Sequence, residues 1–270
     1  MSKLNRIPSF IRHVRFCYKN VLPNSLLPLT GVLLGFILNT CGLFTKKRCL
    51  IKVHFKDLSV NLNAFSGEIS GFWENFQEEK YGPDAGDLPG YCVFDVGGNA
   101  GFFSMRQILL RKEKLKLFTF EPDPAVFERL SAHLRQCNLG RNAQISVHNF
   151  ACGSISGTAG FFRDGSCLSH VTTDPDNGRK HIDVQIDTLD NVVQAQKVAH
   201  INLMKIDVEG HETEVLKGAS KVALPITDKI VLQYHPGQYE NVCKLLEGAG
   251  FKPAGGNQAK ETAFFSRVEK

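Results

Sequence analysis

Apolar and polar positions divide the chain into three stretches. From residue 21 to 44 no residue is charged. The densest part, 26–44 (LLPLTGVLLGFILNTCGLF), carries Val32, Leu33, Leu34, Phe36, Ile37 and Leu38, which together cover every side of a helix rather than one face. As a helix it spans about 28 Å, close to the hydrocarbon thickness of a bilayer, and Pro28 suits its first turn. A connecting region follows. VNLNAF reads as a short strand, GEISGFWENFQEEKYG as a helix, and PDAGDLPG, with Pro83, Gly86, Pro89 and Gly90, as a turn-rich linker.

From residue 91 the pattern becomes regular. YCVFDV (91–96) is a continuous apolar run of the kind a buried parallel strand needs. A glycine-rich turn over 97–101 leads into a helix over 102–111. LKLFTF (115–120) is a second strand. The helix over 124–137 sets Phe127, Leu130 and Leu134 on one face. Further strands are predicted over 144–150, 203–208 and 229–234, with helices over 212–216, ending at Gly218, and over 239–249. A closing pair, 251–253 and 262–268, completes the pattern. Strands alternating with helices predict an α/β fold with a parallel sheet. The domain organisation is a leader over 1–56 containing the hydrophobic segment 26–44, a connecting region over 57–90, and a catalytic-type domain over 91–270.

Charge sharpens the division. The chain carries 32 Lys and Arg against 27 Asp and Glu, a net charge of +5. Ten of the basic residues lie in 1–56, where no acidic residue occurs, and the remainder is mildly acidic. The positive charge therefore flanks the hydrophobic segment on both sides. It does not interleave with stacking aromatics, so no nucleic-acid partner is expected. Three readings of 26–44 compete: a single membrane span, a buried helix or hairpin packed on the domain, and a cleaved signal peptide, which the long charged region before it disfavours. Membrane-associated and cytoplasmic locations both follow from them. Apolar content of 43% is ordinary for a folded chain. The eight cysteines form no C-x-x-C pair, so a structural zinc site is not expected.

Three clusters carry chemistry. The first is Asp95-Val96-Gly97-Gly98-Asn99-Ala100-Gly101. Glycines directly after a buried strand let backbone approach a nucleotide-like ligand. A dinucleotide fingerprint would need glycine at 97, 99 and 102, where this chain has Gly97, Asn99 and Phe102, so a nicotinamide oxidoreductase is disfavoured. The run suits instead a cationic ligand with an amino-acid end, Asp95 meeting the ammonium and the turn amides the carboxylate. The second cluster is Phe120-Glu121-Pro122-Asp123-Pro124. Glu121 lies near the spacing at which an acid meets both ribose hydroxyls, and Asp123 reads as a helix N-cap. The third is Met204-Lys205-Ile206-Asp207-Val208-Glu209-Gly210-His211-Glu212. Alternation puts Lys205, Asp207 and Glu209 on one side if the strand continues, at the carboxyl end of a parallel sheet where ligands sit. Asp207, Glu209 and His211 have metal-ligand chemistry, but no fourth ligand is evident and no metal is assigned.

DVGGNAG, FEPDP and MKIDVEGHE, in this order, resemble the FkbM family of S-adenosylmethionine-dependent methyltransferases over about residues 57–268. NFACGSISG and IDTLD resemble further family segments. The resemblance implies a Rossmann-like class I methyltransferase, with a seven-stranded, mostly parallel sheet whose last strand is reversed, preceded here by an N-terminal hydrophobic extension. It implies S-adenosylmethionine as cofactor, held by Asp95, Gly97, Gly98, Asn99, Gly101, Glu121 and Asp207. The implied reaction is O-methylation of a hydroxyl on a small-molecule or glycan acceptor. Asp207, Glu209 and His235 are the candidate catalytic residues, with Glu209 or His235 as base and Asp207 ordering the site. The chain departs from the family pattern at Gln233, where an acid is common, which moves attention to His235. A non-catalytic cofactor-binding or membrane-recruited scaffold is the alternative. The acceptor and the oligomeric state are not given by the sequence.

Overall fold

The computed structural model describes residues 50–55, 58–63, 68–76, 81, 91–111, 114–138, 141, 143–162, 170–172, 181–235, 237–257 and 261–268. The hydrophobic segment 26–44 lies outside the described residues. Among the described residues no helix is long and apolar enough to cross a membrane. The chain forms two compact units, 1–78 and 79–270.

In the first unit, β1 (Leu50–Phe55) pairs antiparallel with β2 (Leu58–Asn63). LIKVHF alternates apolar and polar residues, the period of a strand with one covered face. Helix α1 (Glu68–Phe76) follows, with Phe72 buried and stacked on Phe76 at 4.5 Å.

The second unit is built on seven strands: β3 (Tyr91–Val96), β4 (Leu115–Phe120), β5 (Gln144–His148), β10 (Ile201–Ile206), β11 (Thr227–Gln233), β12 (Phe251–Asn257) and β13 (Thr262–Arg267). Their order is β12-β13-β11-β10-β3-β4-β5. All neighbours from β11 to β5 are parallel, and β13 runs against both β11 and β12. The reversed last strand expected from the sequence is thus inserted inside the sheet. Alternation decides what each face carries. Cys92, Phe94 and Val96 of β3 and Met204 and Ile206 of β10 join the larger core with residues of α4 (Leu189–Ala195), α5 (Glu212–Lys217) and α6 (Tyr239–Gly248). Asp95 and Lys205, one residue out of phase, face the layer of α2 (Phe102–Leu110) and α3 (Pro124–Cys137). From β3 the chain moves outward through β4 and β5, then returns to β10 on the other side of β3. This reversal opens a crevice at the carboxyl ends of β3 and β10, the place where open parallel sheets bind ligands.

A second sheet, not anticipated from the sequence, fills the connection between β5 and β10. It comprises β6 (Ala151–Cys152), β7 (Gly157–Phe162), β8 (His170–Thr172) and β9 (His181–Asp187) in the order β6-β9-β7-β8. The NFACGSISG and IDTLD segments tie it to the main sheet. Asp190 accepts the backbone N–H groups of Lys221, Val222 and Ala223 at 2.8–3.0 Å. A side-chain carbon on Gly218 would stand 1.9 Å from the Gly153 carbonyl oxygen, so the two segments meet backbone to backbone.

Candidate active site

The turn from β3 to α2 is held from three sides. Gly97 and Gly101 have φ of +78° and +87°, conformations that glycine takes at no steric cost, and Asn99 has φ +46°. A side-chain carbon on Gly97 would lie 1.9 Å from the Asp207 carbonyl oxygen, and one on Gly98 would lie 2.3 Å from Thr119 Oγ1. The glycines are therefore demanded by the packing of the turn against β10 and β4. The amides of Gly97 and Gly98 donate to the Phe120 carbonyl, that of Gly101 to Gly98, and that of Asn99 to Glu121 Oε2 at 2.9 Å. These four amides are engaged within the protein, in contrast to the expectation that turn amides meet a ligand carboxylate. From α3, His133 Nδ1 meets the Ala100 carbonyl at 2.8 Å and Leu130 and Leu134 pack beneath the turn.

Glu121 stands at the end of β4 beside this turn. Its Oε1 accepts the Asp123 amide at 2.9 Å, and only 7% of the residue is exposed. Burial pushes its carboxyl from 4.5 up to about 7, against the two backbone amides that favour the charged form. Asp123 caps α3, accepting the amides of Ala125 and Val126, as its position before Pro124 predicts.

Asp95 is fully buried. It accepts the Ser104 hydroxyl at 2.6 Å and pairs with Lys205 Nζ at 3.1 Å. Lys205 also donates to the Gly97 carbonyl at 2.6 Å. A buried charge must be paired, and here the pair has a use: the ammonium pins the glycine turn to β10.

β10 stops at Ile206, and the chain turns at Glu209, φ +52°, and Gly210, φ +98°. Asp207 accepts the Tyr81 hydroxyl at 2.6 Å on Oδ2. Glu209 reaches His235, at the end of β11, with Oε2 3.0 Å from Nε2. The other ring nitrogen, Nδ1, lies 2.8 Å from Oε1 of Glu212, which is fully buried in the first turn of α5. Hydrogen bonds to Glu209 and then Glu212 push the imidazole from 6.5 up to about 10, against burial that favours the neutral form. His235 is thus an imidazolium at neutral pH and has no lone pair with which to take a proton. One ligand atom each from Asp207, Glu209 and His235 lie within 4.8 Å of one another. His211, which the sequence grouped with Asp207 and Glu209, points elsewhere: its Nε2 lies 3.7 Å from where a side-chain carbon on Gly153 would stand.

Residues 95–253 match the methyltransferase FkbM domain. The chain belongs to that family. Among curated relatives, the hexuronic acid methyltransferase AglP of Haloferax volcanii is 28% identical over 158 residues, 58% of this chain and 62% of that one. The 31-O-demethyl-FK506 methyltransferase FkbM of Streptomyces tacrolimicus is 28% identical over 193 residues, 60% of this chain and 73% of that one. The crystal structure of methyltransferase FkbM from Methylobacillus flagellatus KT superposes with a TM-score of 0.51 at 16% identity, covering 97% of this chain and 59% of that one. That likeness shows the fold, a Rossmann-like class I methyltransferase fold. The chain spans less than two thirds of the length of AglP and of the crystallised protein.

The structure brings Asp207, Glu209 and His235 together, and separately brings Glu121 against the turn that holds Gly97, Gly98, Asn99 and Gly101. Sequence reasoning missed Tyr81, Glu212 and the pinning role of Lys205. A lysine inside an otherwise apolar strand was the available signal for the last. Tyr81 sits at the edge of the turn-rich linker and carried none.

Proposed function

We propose that this chain is an S-adenosylmethionine-dependent methyltransferase that methylates a hydroxyl oxygen of a small-molecule or glycan acceptor. The observation that carries the reading is the meeting, at the carboxyl ends of β3 and β10, of the glycine turn flanked by Glu121 with the Asp207–Glu209–His235 cluster. The chemistry of this donor set fits the cofactor. A nearly buried carboxylate suits a pair of ribose hydroxyls, and carboxylates beyond β10 suit a cationic amino-acid end. When bound, the cofactor would supply a sulfonium methyl group for transfer to the acceptor oxygen.

The chain's own residues would do the rest. Gly97 to Gly101 admit the ligand close to the backbone, and Glu121 accepts its hydroxyl protons. Asp207 orders the amino-acid end. Glu209 takes the proton of the acceptor hydroxyl, which is a poor nucleophile while neutral. His235, held by Glu212, fixes Glu209 in place. Much of the rate in such a reaction comes from aligning acceptor oxygen, methyl carbon and sulfur.

The test uses the full chain with S-adenosylmethionine labelled in its methyl group, offered against extracts of the source organism fractionated into glycans, lipids and small molecules. Transfer of label to an alkali-stable ether, lost in Glu209→Gln, supports the reading. Calorimetry with S-adenosylmethionine and S-adenosylhomocysteine gives the second arm. Binding of neither, or tighter binding of a nicotinamide dinucleotide, overturns it. Cofactor binding with no transfer to any fraction supports the scaffold instead.

A further inference from the structure

Tyr81 lies outside every motif, ten residues before the first strand of the sheet, at the end of a stretch whose sequence reads as a helix. Yet it is 8% exposed, and it reaches three residues around the candidate site. Its hydroxyl donates to Asp207 Oδ2 at 2.6 Å, across 126 residues of chain. Its ring meets Phe103, in the first turn of α2, edge-on at 5.4 Å. The Lys205 ammonium lies 5.5 Å from the ring centroid. One side chain therefore touches the start of α2, the pinning lysine of β10 and the carboxylate just beyond β10.

We infer that Tyr81 is a positioning residue of the cofactor site, which fixes the Asp207 carboxylate for the amino-acid end of the bound nucleoside. The inference rests on the reading of the site as one for S-adenosylmethionine. Its physical basis is pre-organisation. A carboxylate on a short side chain at a strand end rotates freely unless held, and ordering it on binding costs affinity. An O–H donor at 2.6 Å is within the range of a charge-assisted bond, stronger than a neutral one. The phenol is itself held, by the edge contact with Phe103 and by the cation facing its ring.

The consequence is selective for one end of the ligand. Tyr81→Phe keeps the ring and removes the hydroxyl. Its effect belongs to ligands that carry the amino-acid end and not to 5′-methylthioadenosine, which lacks it. Titration calorimetry of the full-length wild type and Tyr81→Phe with both compounds provides the test. S-adenosylhomocysteine is expected to bind the variant about tenfold more weakly, the scale of one hydrogen bond to a charged group. The affinity for 5′-methylthioadenosine stays unchanged. Against Asp207→Asn as background, Tyr81→Phe adds no further loss for S-adenosylhomocysteine, because the two act as one unit. Equal weakening of both ligands would show a merely structural tyrosine and overturn the inference, as would unchanged affinity for S-adenosylhomocysteine. In either case the cofactor reading stands. If the wild type binds neither compound, both readings fall together.

Discussion

Glu121 illustrates how a single residue's surroundings set its chemistry. Two backbone amides favour its ionised form, but burial outweighs them and the carboxyl is pushed up to about 7. Ribose hydroxyls are donors, and they are best met by the carboxylate. Ligand binding is therefore linked to loss of the Glu121 proton. Below pH 7 the protein must give up that proton to bind, and above it the carboxylate is ready. The affinity for S-adenosylhomocysteine is expected to rise between pH 6 and pH 8 and then level off, while Glu121→Gln binds more weakly and without the rise. Calorimetry in buffers of different ionisation enthalpy checks both the slope and the released proton. A flat profile in the wild type would remove Glu121 from the ribose role. His235 shifts the other way in function although its pKa is also raised. Glu209 and Glu212 together favour its charged form, so of the two candidate bases, Glu209 and His235, the proposed mechanism takes Glu209 and leaves His235 to hold it. Its contribution to folding is present below the ordinary histidine value of 6.5 and is lost as pH rises through about 10.

At the level of elements, the strands of the main sheet were legible because a parallel strand covered on both faces must be apolar throughout. YCVFDV is buried at all six positions, and the same physics marks LKLFTF; the next strand was expected over 203–208 and runs instead over Ile201–Ile206. The small sheet was not legible for the opposite reason. β7 is exposed at its first two positions and carries two glycines, so its apolar pattern is weak. β12 continues through Pro253 and two glycines, residues that argue against a strand; it is the sheet's edge, where a register shift between Pro253 and Gly255 is tolerated. What holds the small sheet's return to the main sheet is local and testable. Asp190, at the start of α4, satisfies three backbone N–H groups that follow α5. Removing it leaves them to water or unpaired. Asp190→Ala is expected to destabilise the chain by about 2–3 kcal/mol, the range for hydrogen bonds to a charged group. Urea denaturation followed by circular dichroism measures this, and a loss under about 0.5 kcal/mol, the size of an ordinary surface substitution, would show that the connection is held otherwise.

For the molecule as a whole, the site is a device for joining the two halves of the sheet. The turn and Glu121 come from the half that runs outward through β4 and β5; Asp207, Glu209 and His235 come from the half that runs through β10 and β11. The halves already meet where the Asp207 amide donates to the Val96 carbonyl, and where Lys205 bonds to the Gly97 carbonyl. A ligand lying across the reversal contacts both, and no partial structure lacking either half offers the same site. It must therefore bind the folded unit and not the unfolded chain, and stabilise it by mass action. At about one hundred times the dissociation constant, S-adenosylhomocysteine should add about 2.7 kcal/mol to the unfolding free energy. The transition should move as one, because the bound molecule links both halves. Gly97→Ala should abolish the shift, since its side-chain carbon would occupy the space of the Asp207 carbonyl and separate the halves at the point of closest approach. The measurement is urea unfolding with and without ligand, followed by amide hydrogen exchange in β4 and β5 and, as a second signal, in β10 and β11. If ligand moved one signal and left the other, only one half of the sheet would be bound, and the two sets of residues would not form a single site.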